Sequence, residues 1–201
     1  MKQFPEQYKQ QLADAYNIHN QNVTFEKRHE VVGTLDFDHD YIANYDFDNL
    51  PEHLAYKDSF NTLTGKREFV NIIVNDMNDQ FLESVRHFAE DVCKFTYWEG
   101  HLLHFITGIT PLHRDIHLGI RKRNDLFAHI SDEELYSKMR KFWIPLGDRK
   151  PGQFFEVNGI PIVEWKAGDL IEFQSRWPHC GATCGPDARN ALVLTGTTIK
   201  K

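Results

Sequence analysis

The stretch ITPLHRDIHLG, residues 109 to 119, holds two pairs of metal-ligating side chains that require different backbones. His113 and His117 are four apart and would share one face of a helix, whereas His113 and Asp115 are two apart and share one face of a strand. Pro111 precedes His113 closely, the segment HLLHFITGIT (101–110) is rich in β-forming residues, and IHLGI after it carries isoleucines and a glycine. None of this supports a regular helix. The strand reading follows, and it makes His113 and Asp115 the pair that faces one ion. On a strand His117 lies about 13 Å from His113, too far for the same ion, and is left as a pocket wall or a core histidine. His101 and His104, three apart, point to opposite faces and chelate poorly.

Working outward, the chain is mostly β on the C-terminal side. HLLHFITGIT reads as one apolar strand, KFWIPL as another, and GQFFEVNGIPIVEW places Asn158-Gly159 between two strand-like runs, the signature of a tight hairpin. AGDLIEF starts on a Gly-Asp turn and continues as a strand, and RNALVLTGTTI closes the series. On the N-terminal side REFVNIIVND (67–76) reads as a strand, and Phe81, Val85, Phe88 and Val92, with Leu82 and Ala89, predict one amphipathic helix to about Phe95 that packs on a sheet. Ser131 and Glu134 have capping-box spacing and predict a brief helix in SDEELYSKMR. Short strands with Gly and Pro turns, covered by one helix, indicate a mainly β fold with flanking helices around a jelly roll or related barrel.

The chain has 201 residues and fits one domain, with an N-terminal extension or lid (1–60), a strand plus supporting helix (61–99) and the β core (100–198). The first 60 residues are polar, with a short helix expected after Pro5. In LDFDHDYIANYDFD, Asp36, Asp38 and Asp40 imitate the start of a calcium loop. Tyr41 stands where such a loop needs glycine and Phe47 where it needs a bidentate glutamate, so an edge strand or surface loop is expected there. The formal charge is −6 and the basic residues gather only at Arg121, Lys122 and Arg123, which disfavours phosphate-driven nucleic-acid binding. A nucleobase substrate stays open, because those arginines lie near the site in sequence. Three cysteines, a polar start and no apolar run of about 18 residues predict a cytoplasmic protein with no membrane span. Cys180 and Cys184 are then expected as free thiols, near enough to the candidate centre for oxidation to be a hazard.

Two ligands do not make a centre. The third candidate is His179 in QSRWPHCGATCG, just past the AGDLIEF strand. Two imidazoles and a carboxylate on one face of an ion suit non-haem Fe(II), leaving three adjacent positions open. Arg189, ten residues on, opens the next strand and could hold the far carboxylate of a dicarboxylic acid with two parallel hydrogen bonds. Thr195, on the same face, could help.

The ordered set His113-x-Asp115, His179 and Arg189, spaced by the KFWIPL and AGDLIEF strands, resembles the Fe(II)- and 2-oxoglutarate-dependent oxygenases of the double-stranded β-helix fold, over residues 100 to 198. The resemblance implies a jelly-roll or cupin-like core, with His113, Asp115 and His179 as iron ligands and Arg189 at the C5 carboxylate of 2-oxoglutarate. Residue 191 is Ala, so the second partner of that carboxylate found in some members is missing. His104, Thr107 and Trp143 are strand residues that could line the co-substrate pocket. The activity implied is hydroxylation of a C–H bond in a small molecule or protein side chain, using O2 and releasing succinate and carbon dioxide, with no side chain acting as general base. Two other readings stay open: a cupin-type metal enzyme that does not use 2-oxoglutarate, and a non-catalytic jelly roll that binds carbohydrate or protein.

Overall fold

The computed structural model describes residues 29–50, 54–61, 66–77, 80–115, 127 and 129–199. Asn158 and Gly159 both have positive φ, 54° and 79°, as a two-residue I′ hairpin turn demands. They join two of eleven described strands: β1 (Glu30–Thr34), β2 (Ala55–Asn61), β3 (Lys66–Ile73), β4 (Tyr97–Phe105), β5 (Gly108–His113), β6 (Met139–Pro145), β7 (Gln153–Val157), β8 (Ile160–Ile162), β9 (Asp169–Phe173), β10 (His179–Thr183) and β11 (Arg189–Thr197). The helices are α1 (His39–Ala43), α2 (Gln80–Arg86), which runs on as π-helix over His87–Val92, and α3 (Asp132–Ser137).

The strands pair antiparallel in two sheets, ordered β1-β9-β6-β11-β4-β3-β2 and β5-β10-β7-β8. This is the mainly β, jelly-roll architecture expected from the strand pattern. Alternation along each strand gives each sheet two faces. Trp143, Ile171 and Ala191 of the seven-stranded sheet meet Phe155, Val157 and Ile162 of the four-stranded sheet in an inner core. Leu102, Phe142, Ile144, Leu192 and Leu194, from the other face of the larger sheet, pack under Phe81, Val85 and Phe88.

Several local expectations are corrected. HLLHFITGIT is two strands, β4 and β5, separated by a bend at Ile106 and Thr107 and placed in different sheets. Helical spacing over 81–92 holds only to the widening at His87. From there the π-helix has more residues per turn, and Val92, which 3.6-residue periodicity would bury, is 60% exposed. The acidic run is neither strand nor plain loop, because the Asp38 carboxylate accepts from the Tyr41 backbone N–H at 3.0 Å and caps α1. Ser131 caps α3 in the same way through the Glu134 N–H. Strands β1 and β2, in the polar N-terminal part, were not foreseen. The helix expected after Pro5, and His117, lie outside the described residues. No helix among the described residues is long and apolar enough to cross a membrane.

Candidate metal centre

β5 is an edge strand of the four-stranded sheet, which is why Pro111 is tolerated in it. Its register with β10 pairs His113 with His179 and Thr110 with Gly181, so β5 spends one more residue than β10 over the same span. That irregularity is a bulge. Strict alternation from Thr110 would turn His113 outward, and the extra residue re-aims it to the face that carries His179. The two imidazole centroids end 4.3 Å apart. The strand stops at His113, so Asp115 arrives from irregular chain, not from the continued strand that the spacing suggested.

Both histidines are fixed by the same device. His113 Nδ1 lies 2.8 Å from the Pro111 carbonyl oxygen and His179 Nδ1 lies 3.0 Å from that of Trp177, in each case two residues back. A carbonyl only accepts, so Nδ1 carries the hydrogen and the Nε2 lone pair is left to face the centre. Asp115 Oδ1 is 3.5 Å from His113 Nε2, and Asp115 Oδ2 is 3.7 Å from His179 Nε2. The three ligand atoms lie within 4.8 Å of one another, so one ion could take all three. Burial holds the His113 imidazole below its ordinary value, against the Pro111 hydrogen bond, which keeps it in the neutral form that ligation needs.

A fourth group meets these atoms from the opposite sheet. Lys141, on the inner face of β6 and only 2% exposed, forms an ion pair with Asp115 Oδ2, lies 3.2 Å from His179 Nε2, and sits 5.0 Å from the Phe173 ring centroid. Burial pulls the ammonium down to about 7. Sequence reading passed over Lys141 as the first residue of KFWIPL. The signal was there, since Lys141, Trp143 and Pro145 alternate with Phe142 and Ile144, which places a lysine on a core face.

Arg189 lies deeper between the sheets. It is 5% exposed, donates from Nη1 to the Phe154 carbonyl at 2.7 Å, and stacks 4.9 Å from the Phe105 ring centroid. Its Nε is buried with no hydrogen-bond partner, and burial alone lowers the guanidinium to about 10. Among the described residues no carboxylate pairs with it. Gly181 permits the approach, because a Cβ there would come within 2.8 Å of Arg189 Nη1. Gly181 is two residues from His179 on the same face of β10, about 7 Å along the strand. The guanidinium therefore sits against β10 two residues along from His179. Thr183, the next inward residue of β10, is fully buried and its hydroxyl also lacks a partner.

The remaining candidates fall elsewhere. Thr195 shares the inner face with Arg189, yet six residues of strand separate their α-carbons by about 20 Å. It pairs across the sheet with Lys141 and Glu99, at the ligand end. Trp143 is buried in the inner core, stacked on Phe155 at 4.2 Å and edge-on to Trp165. His104 is on the opposite face of β4, stacked on Phe47 at 4.0 Å and bonded to Asn190 at 2.6 Å. Thr107 is exposed in the bend between β4 and β5. Another unforeseen group is the chain Asn71–His101–Glu99 on the inner face, with His101 Nε2 2.7 Å from Glu99 Oε1 and Nδ1 3.0 Å from Asn71 Oδ1. Cys93, Cys180 and Cys184 are free, and burial pushes the Cys180 thiol up to about 11, away from its reactive thiolate.

No protein-family model matches the chain, and no curated relative matches it. Among solved structures, EvdMO1 superposes with a TM-score of 0.58 at 14% identity, over 86% of this chain and 47% of that one. The chain thus spans about half the length of the EvdMO1 chain. The non-heme alpha ketoglutarate dependent epimerase SnoN from nogalamycin biosynthesis matches at a TM-score of 0.42 and 11% identity, over 69% of this chain and 65% of that one. A cupin protein from Bacteroides fragilis matches at 0.34 and 14%, over 56% and 77%. At these identities the likeness is one of fold alone.

Proposed function

We propose that the chain is an Fe(II)- and 2-oxoglutarate-dependent dioxygenase that hydroxylates a C–H bond of a small molecule or protein side chain and releases succinate and carbon dioxide. The observation that carries the reading is the convergence of His113 Nε2, Asp115 and His179 Nε2, with both Nδ1 hydrogens already tied to backbone. A facial set of two imidazoles and one carboxylate suits Fe(II). Two unsatisfied buried donors, Arg189 Nε and the Thr183 hydroxyl, support a carboxylate ligand between the sheets. A buried guanidinium without an anion is costly, and a carboxylate bound there removes the cost.

In this reading His113, Asp115 and His179 hold the iron, whose part is to bind and activate dioxygen. Arg189 orients 2-oxoglutarate by its C5 carboxylate, and the aromatic wall of Trp143, Phe155 and Phe173 excludes water from that region. The chain works as one cytoplasmic domain whose first 60 residues and 120–140 segment shape access and selectivity.

The test is spectroscopic. Fe(II) and 2-oxoglutarate added without oxygen should produce the weak visible charge-transfer band of the chelate in the parent and not in His113→Ala. A parent that binds Fe(II) but shows no band would instead favour a cupin-type metal enzyme that does not use 2-oxoglutarate.

A further inference from the structure

Asp115 Oδ2 and His179 Nε2 belong to two of the three candidate ligands, and the Lys141 ammonium engages both. An ion bonded to those atoms and an ammonium donating to them exclude one another. The lysine cannot turn away into water, because its stem rises from the middle sheet layer and it is 2% exposed. Its cross-strand neighbours are Phe173 on one side and Thr195 on the other. Beyond Thr195 comes Glu99, two strands away and already hydrogen-bonded to His101. Displaced from Asp115, the ammonium would stand near a divalent cation in a poorly screened interior, where like charges repel strongly.

We infer that Lys141 is an internal counter-cation that must be displaced for the centre to take a metal, and that once displaced it binds a carboxylate brought in by the co-ligand. The inference rests on the metal-centre reading above. Its consequence is interlocked loading. A divalent ion alone binds weakly, since it must uncover Asp115 and strand a buried positive charge. A carboxylate ligand alone binds weakly at this end, since Lys141 is committed to Asp115. Together each removes the obstacle to the other, so the coupling is reciprocal. Lys141 is in this account a positioning residue for loading and acts on no reacting atom.

The experiment measures Mn(II) affinity of the full chain by electron paramagnetic resonance, with and without 2-oxoglutarate, in the parent, Lys141→Met and Lys141→Gln. Methionine removes the charge and keeps the buried volume, and glutamine provides a second uncharged variant in case methionine leaves the fold unstable. The expected result is that Mn(II) alone binds either variant about tenfold or more tightly than the parent, because the repelling charge is gone. The factor by which 2-oxoglutarate strengthens Mn(II) binding should also shrink in both. If folded variants bind Mn(II) no more tightly than the parent, the lysine inference is overturned while the metal-centre reading stands. If the parent and both variants bind no Mn(II), the metal-centre reading itself falls.

Discussion

The outer faces of the two sheets are treated in opposite ways. Phe142, Ile144, Leu192 and Leu194 of the seven-stranded sheet are buried under α2 and its π-helical continuation, whereas Ile109 of the four-stranded sheet is 72% exposed and Phe154 and Val163 are open beside it. Their inner faces differ in charge. The smaller sheet brings His113 and His179, with Asp115 just past its edge strand, and the larger sheet brings the two buried cations, Lys141 and Arg189. Stability is concentrated where the large sheet meets its helix, and the candidate chemistry lies where short strand ends of the small sheet face cations across the gap. A ligand set on a short sheet can be re-aimed by one bulge, while the long strands opposite stay in register.

Truncation of the outer faces should expose the contrast most strongly. Phe142→Ala should cost about 3–5 kcal/mol in denaturant unfolding, and Ile109→Ala should stay within about 0.5 kcal/mol. Equal costs would mean that the small sheet's outer face is covered after all. The inner faces should separate by ligand. His179→Ala, on the small sheet, should lower Mn(II) affinity about a hundredfold or more while the protein stays folded. Arg189→Met, on the large sheet, should leave Mn(II) affinity in place and weaken 2-oxoglutarate about tenfold to a hundredfold, the loss of charge-assisted hydrogen bonds. An Arg189→Met protein with parental 2-oxoglutarate affinity would remove the arginine from the reading.

A smaller effect belongs to Gly181, which connects the two groups. A methyl there would meet Arg189 Nη1 and Nη2 at 2.8 and 3.0 Å and the Phe154 carbonyl oxygen at 3.2 Å. The guanidinium end can shift by a few tenths of an ångström, so Gly181→Ala should weaken 2-oxoglutarate several-fold, about 1 kcal/mol, with Mn(II) affinity unchanged. Loss of both affinities together would show that β10 itself had moved.

The same contrast explains what was legible in the sequence. Asn158-Gly159 announces its hairpin because the φ > 0 requirement is local, and the KFWIPL and RNALVLTGTTI strands announce themselves by composition. The spacing of His113, Asp115 and His179 named side chains that do come close in space. It did not contain the reason, since the bulge at Pro111 and Leu112 depends on the register with β10 and no property of β5 alone encodes it. Lys141 was missed because a buried ammonium makes sense only beside Asp115, 26 residues away and across the barrel. Thr195 shares the face of Arg189 but lies at the other end of β11, beside Lys141 and Glu99, because periodicity fixes the face and says nothing about position along the strand. Val92 was misread because the 3.6-residue rule presumes an α-helix, and the π-helical turns break it.

His104 offers the finest division between the faces, being a histidine on the outer side of β4 whose inner side carries His101. Burial against Phe47 disfavours its charged form and lowers its pKa from the ordinary 6.5, while hydrogen bonding to Asn190 and the Asp48 charge oppose the shift. The unfolded chain therefore takes up a proton at this residue before the folded chain does. Linkage then makes stability fall as pH drops below 6.5 toward the lower folded-state value, and makes it insensitive to this residue above 6.5. His104→Gln keeps a hydrogen bond to Asn190 and cannot titrate, so its melting temperature should decline less steeply than the parent's between about pH 7 and pH 5. Mn(II) affinity at pH 7 should be the same in both proteins, because the residue faces away from the candidate ligands. A parallel pair of stability curves would mean that His104 takes up its proton equally readily in the folded and unfolded chains, and a changed Mn(II) affinity would mean that the outer face reaches the centre through β4.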